Sequence, residues 1–553
     1  MSKSYKKALA VLAVLAGLPL TIASVYGEEP PKSAAEYLAA APAAISMSDA
    51  EFAEAKALYF NRCAGCHGTT RKGATGPNIT DDNLKKKSYT AEIVQAFVTN
   101  GTGGGMPSFG VGELTAQEIG LISNFIMLPP PAPPELGMAE IMESWKLIVP
   151  EAQRPKKPEH SRNYKNYFGV VLRDAGQVAI LDGDTKEVVN IVKTGFAIHI
   201  LRSSATGRYF YSIGRDGRAS LIDLWMDKPG VVAEVKTCHD ARSIDSSKYH
   251  GPKGNFEDKL AIVGCYWPPQ FAILDGQTLE PKKLVSTRSF TYDTNEYVNE
   301  ARVAAIIAGH KDPTWIANIK ESGYIWTIDY SDLKNLNITM AETERFLHDG
   351  GWDASKRYVQ MAANMRNKMV IVDSETGKQI AQVETGQKPH PGRGANWVDP
   401  KFGPVTATPH LGEGLVAAWG SDPKKHKQHA WKVVRKIETL GGGGLFVKTH
   451  PNATHVWVDH TLNPDDVIKR SVCAFEKADP AKKKCWQVAD HGRVTHFEYN
   501  QAGNEVWVAV WDQVGELVIY DDKTLKEIRR IKGDWLRTPT GHFNNYNGMM
   551  DIY

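Results

Sequence analysis

Cysteine is scarce in this 553-residue chain, net charge is nearly absent, and a long apolar run occurs only at the start. Six cysteines in such a length exclude a small scaffold built on disulfides. The 66 Lys and Arg residues against 63 Asp and Glu leave a formal net charge of +3, so the chain lacks the basic excess of a dedicated nucleic-acid binder. Beyond Val25 no segment approaches the roughly 20 apolar residues of a membrane-spanning helix. What is present is apolar content of 42%, enough for a large buried core and too much for a disordered or fibrous chain. At roughly 150 residues per domain, the length predicts several folding units, or one large repeat-built unit beside a smaller one.

Residues 1–27 have the layout of a bacterial secretory signal. Lys3, Lys6 and Lys7 precede an uncharged stretch from Ala8 to Val25, and small residues follow near Ala23 and Gly27 before Glu28 and Glu29. Gly17 and Pro19 interrupt the run, which argues against a retained anchor. Export to the periplasm, an oxidising compartment, is expected, with no stable membrane span after cleavage.

Cys63-Ala64-Gly65-Cys66-His67 is a C-x-x-C-H sequence following a helical pattern over Glu51–Phe60. The spacing puts two thiols on one turn, where both can form thioethers with a haem, and turns the adjacent imidazole toward the iron. No thioredoxin-like context favours a redox pair, and no second C-x-x-C completes a zinc site. A sixth ligand is expected downstream. Met106 lies in the loop Gly101-Thr102-Gly103-Gly104-Gly105-Met106-Pro107, ahead of a second helix over Thr115–Ile126, as in a small class I cytochrome c. A His/Met pair raises the potential and suits electron transfer. Residues 28–128 are therefore expected to be an all-α cytochrome c domain with an N-terminal arm. The sequence PPPAPP at 129–134 opens a stiff proline-rich linker over 129–160.

From 161 to 553 the texture becomes short β-branched runs broken by Gly, Asp and Asn. QVAILDGDT (177–185) resembles QFAILDGQT (270–278), KMVIVDSET (368–376) and ELVIYDDKT (516–524), each a strand, an Asp turn and a further strand. Weaker copies begin near Gly217, Gly323, Gly414 and Val472. Eight units spaced by roughly 45 to 50 residues predict an all-β eight-bladed propeller. The count falls to seven if one of the degenerate copies near 414 and 472 is not a blade.

Three of the 17 histidines stand in glycine-rich or non-repeating surroundings: His199 in TGFAIH, His348 in FLHDGGWD and His390 in HPGRGAN. Such loops let backbone approach a bulky planar ligand. Together with CAGCH, GTGGGMP, LRDAGQVAILDGD, YWPPQFAILDG and the final PTGHFNNYN, these blocks make the chain resemble the cytochrome cd1 nitrite reductases over almost all of its mature length. The resemblance implies one covalent haem c on Cys63 and Cys66, with His67 and Met106 as axial ligands, and one non-covalent haem d1 with His199 as its proximal ligand. It makes His348 and His390 the distal, catalytic pair. Arg173, Arg393, Arg215, Arg218 and Tyr266 are expected around the d1 carboxylates or the anionic substrate, and Tyr37 is the one nearby tyrosine that could reach the distal iron position. It further implies a homodimer that takes electrons from a small soluble donor, such as a c-type cytochrome or a cupredoxin.

The residue chemistry agrees with that implication. Reducing nitrite to nitric oxide takes one electron and two protons with loss of water, and imidazoles titrating near neutrality can supply the protons. Alternative readings are a dehydrogenase of haem d1 biosynthesis and a non-catalytic electron-transfer haem protein. Cys238, Cys265, Cys473 and Cys485 allow three pairings or free thiols. Among them, Cys473 with Cys485 could close a hairpin and Cys238 with Cys265 could link neighbouring blades. Lys85, Lys86 and Lys87 could steer an acidic donor toward the cytochrome domain.

Overall fold

The computed structural model describes residues 45–553 apart from 74–75, 103–105, 107 and 111–113. The expected signal, Tyr37 and most of the glycine loop before Met106 lie outside the described residues.

The first unit is helical. Helix α1 (Asp49–Arg62) starts where Ser48 and Glu51 exchange side-chain and backbone hydrogen bonds, and it buries Phe52, Ala55, Tyr59 and Phe60 along one stripe. Short helices α2 (Ala64–His67) and α3 (Asp81–Lys86) follow, then α4 (Ala91–Asn100) and α5 (Ala116–Ile126). Thr115 and Glu118 cap α5 in the same reciprocal way as Ser48 and Glu51 cap α1. Phe125 of α5 packs edge-on against Phe52 (5.3 Å) and stands 5.9 Å from Tyr59. Fully buried Arg71 donates to the Ile126 and Leu128 carbonyls at the end of α5 and lies 4.3 Å from the Phe125 ring. Those carbonyls have no partner within the helix itself.

Eight antiparallel sheets follow around a ring, seven of four strands and one of five, matching the repeat count. Blade 1 combines Tyr167–Leu172, Gln177–Asp182 and Val188–Lys193 with an innermost strand, Pro539–Asn544, from the far end of the sequence. The innermost strands of blades 2 to 8 are Ile198–Ser203, Asp240–Ser246, Val303–Ala308, Leu347–Trp352, Ala395–Asp399, Val447–Lys448 and Arg493–Tyr499. Phe168 of blade 1 stacks on Trp507 of blade 8 at 4.0 Å, sealing the joint. The repeated Asp has a local purpose. Oδ1 of Asp182, Asp275, Asp373 and Asp521 accepts backbone N–H groups two or three residues on, closing the turn after the third strand.

Because the strands are antiparallel, turns between second and third strands share one end of the ring with the blade-to-blade connections. The helical unit sits at that end. Arg62 stacks on Phe196 (4.5 Å), Phe60 meets His239 (5.9 Å), and Lys236 donates to Asn61 Oδ1 (2.8 Å). The stretch expected to be a linker lies on blades 2 and 3. Trp267 donates to the Pro134 carbonyl, Gln270 to that of Leu136, and Lys146–Leu147 adds a strand to the edge of blade 2. Helix α6 (Met138–Ser144) lies between these contacts. At the other end, helix α7 (Asn545–Met550) and the residues to Tyr553 cross the axis.

Cys473 and Cys485 are cross-strand partners in blade 7 and form one disulfide; Cys238, between blades 2 and 3, bonds Cys265 of blade 3. Cys63 and Cys66 are free. No helix among the described residues is long and apolar enough to cross a membrane.

Candidate functional site

One cavity of about 860 Å³ runs from the helical unit into the ring. At its upper end lie Cys63, Cys66, His67 and Met106. His67 Nδ1 is 2.9 Å from the Pro77 carbonyl, which leaves Nε2 as the free ring nitrogen. A Cβ on Gly76 would stand 3.0 Å from the His67 ring, so only glycine lets the backbone run this close to the imidazole. Burial pushes the Cys63 thiol up to about 12 and holds His67 below its ordinary value. A neutral imidazole keeps the lone pair that a metal needs.

The lower part is lined from many blades, and β-bulges set its side chains. Register shifts interrupt the innermost strands at Ile198/Ile200, Leu347/Gly350 and Thr495/Phe497, where His199, His348 with Asp349, and His496 project. An extra residue on one strand re-aims a side chain, a device common beside active sites. Asn318 braces the site by donating to the His348 carbonyl (2.5 Å) while its Oδ1 accepts from Ala304 and Ala305.

His348 and His390 face each other with ring centroids 4.9 Å apart. Asp349 touches both: Oδ1 is 3.2 Å from His348 Nδ1, and Oδ2 is 3.3 Å from His390 Nδ1. His390 Nδ1 also lies 2.9 Å from the Leu445 carbonyl, and Arg242 Nη2 lies 3.4 Å from His348 Nε2. Both rings are therefore anchored through Nδ1. Burial holds His348 down to about 3 against the opposing pull of Asp349. Burial alone would raise Asp349; the two histidines hold its carboxyl low.

The other expected residues divide into three groups. His199 lines the cavity, has no hydrogen-bond partner among the described residues, and is kept neutral by burial and by Arg242, Arg215 and Arg173. Arg393 lines it too, donating to the Ile306 carbonyl (3.2 Å) and standing 3.7 Å from Asp245. Arg173 and Arg215 line the cavity but are held by carboxylates: Arg173 pairs with Asp174 (2.7 Å) and reaches Cys66 Sγ (3.1 Å), so it stands at the junction with the helical unit. Arg215 makes a two-pronged pair with Asp240 (2.8 and 3.0 Å). Tyr266 is buried behind the lining, its hydroxyl without a partner among the described residues, with Arg215, Arg242, Arg302 and Lys320 within 5.2 to 5.8 Å of the ring. Arg218 differs from expectation. It pairs with Glu234 (3.1 Å) in a separate cleft beside the helical unit, because its position opens the third strand of blade 2, away from the axis.

Sequence reasoning missed Arg242, Arg202, Asp349 and His496, all of which line the cavity. Asp349 directly follows His348 in the sequence; the other three carry no local signal.

The donor set fits two haems. Two free thiols, an imidazole with its Nε2 free and a thioether meet the needs of a covalent haem with His/Met ligation. An unpartnered neutral imidazole, a ring of arginines and an orphaned buried hydroxyl suit a second, carboxylate-rich tetrapyrrole.

A ring of eight blades with such a cavity, carrying a small cytochrome at one end, defines a two-haem protein. Residues 162–548 match the cytochrome D1 heme domain, and the chain belongs to that family. Residues 50–126 match the family described as cytochrome C oxidase, cbb3-type, subunit III. A nitrite reductase of Stutzerimonas stutzeri is 46% identical over 547 residues, covering 93% of this chain and 96% of that protein. A dihydro-heme d1 dehydrogenase of Pseudomonas aeruginosa is 24% identical, over 90% and 95% of the two chains. A solved dihydro-heme d1 dehydrogenase structure superposes with a TM-score of 0.70 at 23% identity, covering 90% of this chain and all of that one, a likeness of fold.

Proposed function

We propose that the protein is a nitrite reductase of the cytochrome cd1 type, forming nitric oxide and water from nitrite, one electron and two protons. The observation that carries this reading is the His348–Asp349–His390 cluster at a cavity that His199 also lines. Cys63 and Cys66 would hold haem c covalently, with His67 and Met106 as its iron ligands; His199 would ligate haem d1, with Arg393, Arg215 and Tyr266 available to its carboxylates. When bound, haem d1 supplies the redox iron at which nitrite is reduced and haem c supplies its electrons one at a time.

The chain's own residues supply charge and protons. Arg242 and Arg393 attract the anion into a cavity where burial strengthens the interaction. His348 and His390, anchored through Nδ1, offer Nε2 to the cavity as the nitrogen that takes up a proton and passes it to the oxygen that leaves as water. An anion in the cavity favours the charged imidazoles, so substrate binding itself loads the proton donors. Asp349 shares its charge between the rings and keeps them in register.

The same reading places the mature protein in the periplasm, as a homodimer fed by a small soluble donor. Lys87 and Phe97 line the upper cavity, and exposed Phe97 and Ile93 flank it on α4, giving a donor a cationic and apolar landing place. The test is anaerobic nitric oxide formation from nitrite by purified protein with a reduced donor. Turnover of dihydro-haem d1 without nitric oxide formation would assign the dehydrogenase activity instead.

A further inference from the structure

Lysines from three blades hold the segment that crosses the axis. Lys248 donates to the Gly548 carbonyl (2.7 Å), Lys356 to that of Met550 (2.6 Å) and Lys448 to that of Ile552 (2.8 Å). Residues 545–553 thereby close the end of the ring opposite the helical unit. Asp551 ends α7 in the left-handed conformation (φ 44°) and lines the cavity. Its Oδ1 accepts from Lys248 Nζ (2.9 Å), and its Oδ2 lies 2.7 Å from His310 Nε2.

His310 occupies the turn between Val303–Ala308 and Thr314–Ile319, at the same closed end. Its side chain is 17% exposed, against 2% for Lys248 and 5% for Asp551. A solvent-reachable imidazole thus touches a carboxylate that touches the cavity, and two groups span the floor.

Resting on the nitrite reading, we propose that His310 and Asp551 form a proton inlet through the floor of the propeller. The opposite end is covered by the helical unit, so protons and electrons reach the cavity from different sides. His310 takes a proton from solvent at Nδ1 and passes the Nε2 proton to Asp551 Oδ2, which releases it into the cavity; one proton leaves solvent for each delivered, and no electron moves. The groups facing the pair are Lys248, Lys356, Arg393, Arg202, Asp245 and the Tyr553 hydroxyl. Burial favours a neutral Asp551, while Lys248, His310 and Arg393 keep it ionised at rest. Each negative charge that arrives, nitrite or an electron, raises the proton affinity of this carboxylate and draws a proton inward.

The experiment compares wild-type holoenzyme with His310→Gln and Asp551→Asn. Nitric oxide formation by His310→Gln should fall on the order of tenfold in mildly alkaline solution, a modest share of what a positioned proton donor supplies, and much less in mildly acidic solution. The hindered base 2,6-lutidine, too crowded to ligate iron, should restore the rate. In protein free of haem d1, Asp551→Asn should lower the His310 titration midpoint seen by NMR. An unchanged rate in His310→Gln, a loss independent of pH, a loss that lutidine does not repair, or an unmoved His310 midpoint would each overturn the inlet. Absence of nitric oxide formation by the wild type would instead overturn the nitrite reading on which it rests.

Discussion

Cys63, Cys66 and His67 fall on a single turn, whereas His199, His348 and His390 come from blade 2, blade 5 and the connection into blade 6. The upper site is specified by its own segment, and the lower one exists only when a ring of eight sheets has closed. The lower site also depends on irregularity, since His199 and His348 project where the innermost strands slip register. A short motif carries covalent attachment; a dispersed constellation carries adjustable chemistry, because each member can change without disturbing the others' segments.

Replacing both Cys63 and Cys66 by Ala should abolish covalent haem, read as loss of haem staining on a denaturing gel, with the propeller still folded by circular dichroism. His199→Ala should do the reverse, losing the red absorption of haem d1 while the haem c bands persist. His348→Ala or His390→Ala should lower nitric oxide formation on the order of a hundredfold while haem c reduction stays intact. The double variant should cost less than the sum of the two, because both rings lean on Asp349. Additive losses would show that the cluster does not act as one unit.

Stability effects are smaller. Burial holds His542 down to about 4, and burial with Lys448 holds His450 down to about 4. Their neutral forms favour the folded state above the ordinary histidine value, and that contribution is lost as pH falls from about 6.5 toward 4. The propeller's melting temperature should therefore drop across that window, by calorimetry, and His542→Gln should flatten the slope. Replacing Cys473 and Cys485 by Ser should cost about 3 kcal/mol at most. Arg218→Ala should change stability by less than about 0.5 kcal/mol and leave both haem spectra untouched; a shifted d1 spectrum would return Arg218 to the cofactor site.

What the sequence made legible follows from how local each cause is. C-x-x-C-H is readable because thioether chemistry dictates its spacing. The blades are readable because each Asp closes a turn with its own neighbours, as Asp275 does with Gln277 and Thr278. The copies near Gly414 and Val472 are faint because insertions flank them: the 421–432 loop follows the first in blade 6, and the Asp466–Lys469 helix precedes the second in blade 7. The pairing of Pro539–Asn544 with Tyr167–Leu172 has no local signature at all. Arg242 and His496 were missed for a related reason: alternation along a strand does not say which residue a bulge turns toward the axis.

That pairing has a consequence in time. Asn544 bonds Asn166 across 378 residues, and Thr540, Gly541, Phe543 and Asn544 form one wall of the cavity. Contacts between such distant parts of a chain form slowly, so this wall is expected to be among the last built. A large tetrapyrrole arriving earlier meets an open-sided cradle, and one arriving later meets a finished chamber. A tetrapyrrole bound in the cavity would lie against this wall, and a ligand that binds only the closed ring adds its binding free energy to the joint that holds the ring shut. The cofactor is then also a rivet, and the ring without it should still close but melt at a lower temperature.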